Sequence, residues 1–228
     1  MSLDALYSRL ALVESKARST QSNVDEASRS EYFLRVEADI ARKGILGTII
    51  YRVPHDYYEL PLVQRAKLLS SPVERLCKTL VLENVGPSSL LPRASLPLDW
   101  TKNKAFLPQS RYIAVVVPYV QKLDIETLAR FVRASATSSD GMLPPVKLVH
   151  AENGDKLTGF PFNGVTVFGG KIEMPIIVCK VLLDGPQASY IWLGGGEVDL
   201  KLRIPVPQLM LYSHACDCSI ERDSGDEF

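Results

Sequence analysis

The chain reads as a mixed α/β domain built on one bent, barrel-like sheet flanked by helices. Three observations predict this. Apolar runs of strand length, such as residues 112–119, alternate irregularly with helical periodicities such as Ile125, Leu128, Ala129 and Val132. Proline and glycine punctuate the chain between these segments. Hydrophobic residues make up 46% of the 228, enough for one real core.

Taken in order, Leu3, Leu6, Leu10, Val13 and Ala17 recur at a 3-4-3-4 spacing and form one stripe of a helix over residues 1–20. Two heptads do not make a stable solitary coiled coil, so this helix must dock on its own domain or on a partner. The polar stretch at 21–28 reads as a linker. Ser28 and Glu31 form a Ser-x-x-Glu capping box for a second helix. Phe33, Val36 and Ile40 are its apolar face, and Gly44 ends it. Residues 47–53 predict a strand stopped by Pro54, and residues 61–69 have helical spacing. Ser71-Pro72 opens a short helix through Cys77, which places Lys78 at its exit, before a strand at 79–82. Pro87, Pro92, Pro97 and Pro108 mark an irregular loop over 86–110. Residues 112–119 are apolar almost throughout, as in a strand buried on both faces. Asp124 caps the next helix, a loop spans 135–145, and a strand follows at 146–150. A glycine-punctuated stretch (Gly159, Gly164, Gly169, Gly170) leads to short strands at 176–179, 190–193 and 200–204 and a last helix at 207–212.

Charge is balanced overall, with 26 basic and 26 acidic residues. The distribution is uneven: residues 41–150 hold fifteen basic and eight acidic side chains, and residues 213–228 hold one and five. A basic segment can meet phosphates although the whole chain is neutral; it can equally be an ordinary solvated surface. The acidic tail at 213–228 is predicted to be disordered. The longest apolar run, Ile113-Ala114-Val115-Val116-Val117, is too short to cross a bilayer, and the N-terminus lacks the pattern of a signal peptide. Four cysteines without a C-x-x-C pair read as reduced thiols of a cytoplasmic protein with no membrane partner.

No metal or cofactor signature is present among the three histidines or the glycines, so neither is expected. His55, in a turn after Val53-Pro54, is either a site residue or simply a turn histidine. Gly194-Gly195-Gly196 can cradle an anion or form a tight turn between strands. Lys78 either holds its ammonium near a cleft or is solvated surface.

Three segments, in order, resemble the YbaK/prolyl-tRNA-synthetase-associated aminoacyl-tRNA editing domains. They are Leu76-Cys77-Lys78-Thr79-Leu80-Val81-Leu82, then Lys156-Leu157-Thr158-Gly159-Phe160 with Asn163-Gly164-Val165-Thr166-Val167-Phe168-Gly169, then Tyr190-Ile191-Trp192-Leu193-Gly194-Gly195-Gly196-Glu197-Val198-Asp199-Leu200. The likeness spans roughly residues 45–212. Val53-Pro54-His55-Asp56-Tyr57-Tyr58 and the N-terminal helix look closer to a eukaryotic subgroup. The resemblance implies an editing domain over 29–212 with a YbaK-like fold. It implies a trans-editing deacylase that hydrolyses the ester of mischarged tRNA, typically alanine or cysteine on proline tRNA. By the same resemblance Lys78, Gly164 and Thr166 are catalytic. His55, Thr158, Gly159, Phe160, Asn163, Gly169, Gly194, Gly195, Gly196 and Asp199 bind substrate. Lys78 holds the substrate carbonyl or terminal phosphate, and backbone N–H groups of the 164–169 loop stabilise the oxyanion. Aminoacyl-tRNA is the implied partner, with synthetases or a multi-synthetase complex joined through the N-terminal helix. The alternatives are a non-catalytic subunit that binds tRNA or synthetases, and a small-molecule-binding domain of the same fold. Val167 stands where bacterial relatives commonly have proline, which puts hydrolysis rather than the fold in question.

Overall fold

The computed structural model describes residues 21–86, 100–135, 147–150, 154–185 and 190–221. The helix predicted over residues 1–20, the 135–145 loop beyond Ser135 and the last residues of the tail lie outside them. In chain order the first half holds β1 (Gln21–Ser22), α1 (Glu31–Lys43), β2 (Ile49–Arg52), α2 (Leu62–Leu68), β3 (Cys77–Asn84), β4 (Tyr112–Pro118) and β5 (Gln121–Leu123). The second half holds α3 (Ile125–Ala134), β6 (Leu148–His150), α4 (Gly154–Thr158), β7 (Ile176–Cys179), β8 (Tyr190–Gly194), β9 (Leu200–Pro205), α5 (Val206–Met210), β10 (Ser213–Cys216) and β11 (Ser219–Glu221).

The strands form a four-stranded sheet in the order β1-β2-β9-β8, a five-stranded sheet in the order β10-β7-β4-β3-β6, and a ribbon of β11 with β5. Among the described residues the single barrel-like sheet expected from the sequence is therefore not found. Closure would need a ladder along β3 and β8. Among the described residues the two large sheets are joined by an isolated bridge, Leu76 to Trp192. Beyond it β8 turns away at Gly194 into its antiparallel partner β9.

β4 explains how the core is divided. Ala114 and Val116 face one buried cluster with Phe33, Val36 and Ile40 of α1, Ile50 of β2 and Leu200, Leu202 and Ile204 of β9. Ile113, Val115 and Val117 face a second cluster with Leu128 and Val132 of α3. The strand is thus buried on both faces, as its apolar run predicts. Each fully buried Ile or Leu contributes about 1.5–3 kcal/mol. A third cluster joins Tyr57, Leu62, Ala66, Leu76 and Trp192.

Four local expectations are corrected. The cap of α1 is Ser30 rather than Ser28: its Oγ accepts the Phe33 N–H at 3.1 Å and it also bonds Glu197. The polar stretch at 21–28 is not a free linker, because β1 pairs with β2 and Val24 is buried in the first cluster. The helix before Lys78 is only a 3-10 turn, Val73–Arg75, and Lys78 sits inside β3. Residues 213–216 are not disordered but form β10, parallel to β7, because Cys216 and Cys218 belong to the second core cluster. Average acidity masked those two buried thiols.

Candidate functional site

Helix α1 carries two stripes. Phe33, Val36 and Ile40 enter the core, and Arg35, Asp39, Arg42 and Lys43 lie along an adjoining face at i, i+4 and i+7/i+8. That charged face lines a cavity of about 580 Å³. The opposite wall is Thr79 and Val81 of β3, Ala114 of β4 and Ile176 of β7; Thr158, Thr166, Val167 and Gly169 close one side, and Lys102 and Tyr212 stand at another. The volume is typical of small-molecule and cofactor pockets.

Arg35 ties the glycine-rich segment to the helix. Its guanidinium donates to the carbonyls of Thr158 (2.9 Å), Gly159 (3.1 Å) and Gly169 (2.6 Å), and it lies 4.6 Å from the centroid of the Phe160 ring. Gly169 has φ 72° and a Cβ there would strike the backbone of Arg35, so both its handedness and its closeness require glycine. Its N–H donates to Asp39 Oδ2 at 2.9 Å. Burial opposes the charge of Asp39, yet Lys43 at 2.5 Å, the Gly169 N–H and Arg42 at 2.6 Å together hold its carboxyl below the usual range. Asp39 is therefore an anion near neutral pH. Lys102 Nζ lies 4.0 Å from the Tyr212 ring centroid, and the Tyr212 hydroxyl donates to the Lys43 carbonyl.

Two side chains of this cavity have unmet hydrogen-bonding capacity. The hydroxyls of Thr79 and Thr166 are buried and make no hydrogen bond. Thr166 is 3% exposed. An unsatisfied buried hydroxyl costs about 1–3 kcal/mol, so such a pair is retained where something else satisfies it.

The residues predicted to act together fall into five places, with Lys78 alone in the fifth. Thr158, Thr166 and Gly169 line the cavity. Gly159 and Phe160 support it from behind, with Phe160 a fully buried core ring rather than a binding surface. Asn163, Gly164, Gly194, Gly195 and Gly196 form a packed junction: the Gly196 N–H donates to the Gly164 carbonyl at 2.9 Å, and a Cβ on Gly194 would collide with the Val165 carbonyl. The triple glycine is thus a close backbone crossing, not an open anion cradle. His55 and Asp199 belong to a separate ion cluster, where Asp199 Oδ2 meets Arg52 at 2.7 Å and the exposed His55 at 3.3 Å.

Lys78 does not reach the cavity. Side chains alternate along a strand, and Thr79 and Val81 take the cavity face. Lys78 shares the other face with Leu80 and Leu82, which pack in the second core cluster, and its Nζ lies 6.0 Å from the Tyr119 ring centroid. Two of the backbone donors expected in the 164–169 loop are engaged as well. The Gly164 N–H donates to the Pro161 carbonyl at 2.9 Å, and that of Gly169 to Asp39.

Sequence reading missed Arg35, Asp39, Arg42, Lys43, Thr79 and Lys102. The helical spacing of the first four was visible beside the apolar stripe. Thr79 and Lys102 carry no local signal, since only the tertiary fold brings them to the cavity. Among the described residues no group of three or more His, Cys, Asp or Glu could hold a metal ion, and no helix is long and apolar enough to cross a membrane.

No family model matches the chain, and no curated protein does. Solved structures do. A candidate trans-editing enzyme for prolyl-tRNA synthetase aligns at 19% identity and TM-score 0.59, over 86% of this chain and 100% of its own. A scaffold from the computational grafting of epitopes aligns at 16% and 0.58, over 85% and 100%. A hypothetical protein aligns at 21% and 0.55, over 82% and 99%. Likeness at these identities shows that the chain shares its fold with those proteins.

Proposed function

We propose that the chain hydrolyses the ester joining an amino acid to the terminal adenosine of a mischarged tRNA. The observation that supports this reading best is the cavity of about 580 Å³ edged by Arg42, Lys43 and Lys102, with Thr79 and Thr166, whose buried hydroxyls have no partner, in its wall. An aminoacyl ester is already activated, so its cleavage needs no nucleophilic side chain. Water adds to the ester carbonyl and leaves a tetrahedral oxyanion. Collapse expels the ribose oxygen, which takes up the proton that the water lost. Threonine hydroxyls can donate to that oxyanion; one such donor is worth about 10²–10³ in rate. The cations at the edge suit the phosphates of the tRNA end. Val167 and Ala114, apolar residues of the cavity lining, would border the amino-acid side chain in this reading.

Alanine and cysteine on proline tRNA are the first substrates to try. A panel of mischarged tRNAs should show turnover above spontaneous hydrolysis for at least one. A folded protein that accelerates none of them would sink the proposal. The position of Lys78 favours a second reading, a non-catalytic subunit that binds tRNA or synthetases. It would show salt-dependent tRNA binding without turnover. In either case residues 1–20 are the proposed handle for a synthetase partner, and deleting them should release a synthetase that otherwise co-purifies.

A further inference from the structure

The cavity is not the most unusual electrostatic feature of the molecule. Lys201 of β9 is 3% exposed, in a niche bounded by Tyr57, Tyr58, Tyr119 and Trp192. Its Nζ donates to Tyr58 Oη at 2.9 Å and to the Val198 carbonyl at 2.8 Å. It lies 4.3 Å and 4.8 Å from the centroids of the Tyr58 and Tyr57 rings. The Tyr58 hydroxyl, accepting from the lysine, donates onward to the Asn163 carbonyl at 2.8 Å. Asn163 has φ 67°, one of the few non-glycine residues in the left-handed region. Its turn is thus gripped from two sides, by Tyr58 on the Asn163 carbonyl and by the Gly196 N–H on the Gly164 carbonyl. Thr166, a cavity-lining residue whose buried hydroxyl has no partner, follows two residues after this turn.

We infer that Lys201 and Tyr58 are positioning residues: their relay fixes the turn that closes at Gly164 and so sets the place of Thr166, two residues on, in the cavity wall. The effect on the turn follows from this geometry alone; the effect on rate rests on the editing reading above.

The relay depends on protonation for a chemical reason. An ammonium has three donors and no acceptor, so Tyr58 keeps its own proton for Asn163. A neutral amine has a lone pair that competes for the Tyr58 proton and loosens the grip on Asn163. Burial is the largest influence on Lys201 and pulls it down to about 7; Asp199 opposes that fall and Arg65 adds to it. Arg65 is held by the carbonyls of Leu60 and Tyr58. Of the other groups at the niche, burial pushes the Tyr57, Tyr58 and Tyr119 hydroxyls and the Cys77 thiol up, so they stay neutral near pH 7.

The test uses the full chain, with backbone-amide resonances of Gly164, Val165 and Thr166 followed from about pH 6 to about pH 8.5. In wild type these amides should titrate together with a midpoint near 7. In Lys201→Met the titration should vanish. Asp199→Asn should lower the midpoint, because it removes the charge that favours the ammonium; a merely structural role for Lys201 predicts no such movement. Tyr58→Phe keeps the ring and removes only the oxygen, so it covers the case in which Lys201→Met does not fold. It should uncouple the three amides from pH. In deacylation assays Tyr58→Phe should lower kcat about 10- to 100-fold with KM little changed. Amides that do not titrate, or that titrate alike in wild type and Lys201→Met, overturn the relay. Amides that titrate as expected in a protein with no deacylase activity retain the relay and remove the editing reading instead.

Discussion

The two faces of β3 are a few ångströms apart and do opposite things. On one, Thr79 and Val81 look into a cavity edged by α1 charges, with a hydroxyl that has no partner. On the other, Leu80 and Leu82 join a packed apolar cluster under α3, and Lys78 sits beside Tyr119. Strand alternation makes this contrast absolute: a one-residue shift in register would exchange the two sets. Adjacent residues in a motif therefore have separate fates, and a motif match does not say which of them meets the ligand.

The largest expected effect concerns the cavity face as a whole. Arg35→Met removes the guanidinium that satisfies the carbonyls of Thr158, Gly159 and Gly169 while keeping most of the side chain's bulk. Three acceptors would then lose a charged donor, and stability should fall by about 3 kcal/mol. The urea midpoint measures it. A fall under about 0.5 kcal/mol, the size of an ordinary surface change, would mean that the 158–170 segment holds its shape without the helix.

Next comes the hydroxyl. Thr166→Val keeps the shape and removes the oxygen. Because that oxygen has no protein partner, the variant should be as stable as wild type or slightly more so. Its deacylation rate should fall about 10- to 100-fold if the hydroxyl donates to the oxyanion. Unchanged turnover would assign the hydroxyl to bound water instead.

Smaller again, over any single pH unit, is the pH response of stability. The Lys201 amine titrates near 7 in the folded chain, against 10.5 unperturbed. Between those values the unfolded chain binds more protons, so stability rises with pH across that window. Below pH 7 the full cost of burying the charge is present. The slope from this one group is at most about 1.4 kcal/mol per pH unit. Denaturant unfolding of wild type should follow that rise, and Lys201→Met should lose it. Parallel curves for the two proteins would show that the lysine is solvated in solution.

The same contrast explains what the sequence could reveal. A continuous apolar run marks β4 and period-3.6 apolar patterns mark α1 and α3, because each buries its apolar residues on a core that the pattern itself describes. Gly44 and Asp124 were readable as helix ends because capping is a local event; Asp124 accepts the Thr127 N–H at 3.0 Å. Ser28 and Ser30 both precede this helix with a hydroxyl; Ser28 donates to the Asp25 carbonyl inside its own 3-10 turn, whereas Ser30 accepts the Phe33 N–H and meets Glu197. The division into two large sheets was not readable, since it depends on where Leu76 and Trp192 meet across the fold. Within the site, glycines drew attention as possible anion binders. Gly194 and Gly195 are instead glycines because a neighbouring backbone passes too close for a Cβ, and Gly196 because its φ is 102°. Lys201, in a strand that alternates apolar and basic residues, reads as solvated surface. Its burial depends on an aromatic niche gathered from Tyr57, Tyr58 and Tyr119, far away in sequence.

The smallest expected effect is also the sharpest test of the contrast. Resemblance to the editing domains implies that Lys78→Ala abolishes turnover. The fold places its ammonium across β3 from Thr79, so a rate within about twofold of wild type is expected, the change of an ordinary remote surface residue. A loss of 100-fold or more, with unfolding unchanged, would need about 2.7 kcal/mol of transition-state stabilisation from a group that faces away from the cavity. That result could arise only if the strand slips by one residue when substrate binds, or if tRNA engages the α3 side of the sheet. The two are separable. A slip would bury Thr79 and Val81 against α3 and change amide exchange along all of β3. Binding on the α3 side would leave β3 protected and weaken tRNA affinity when Lys122 or Arg130 is replaced by alanine.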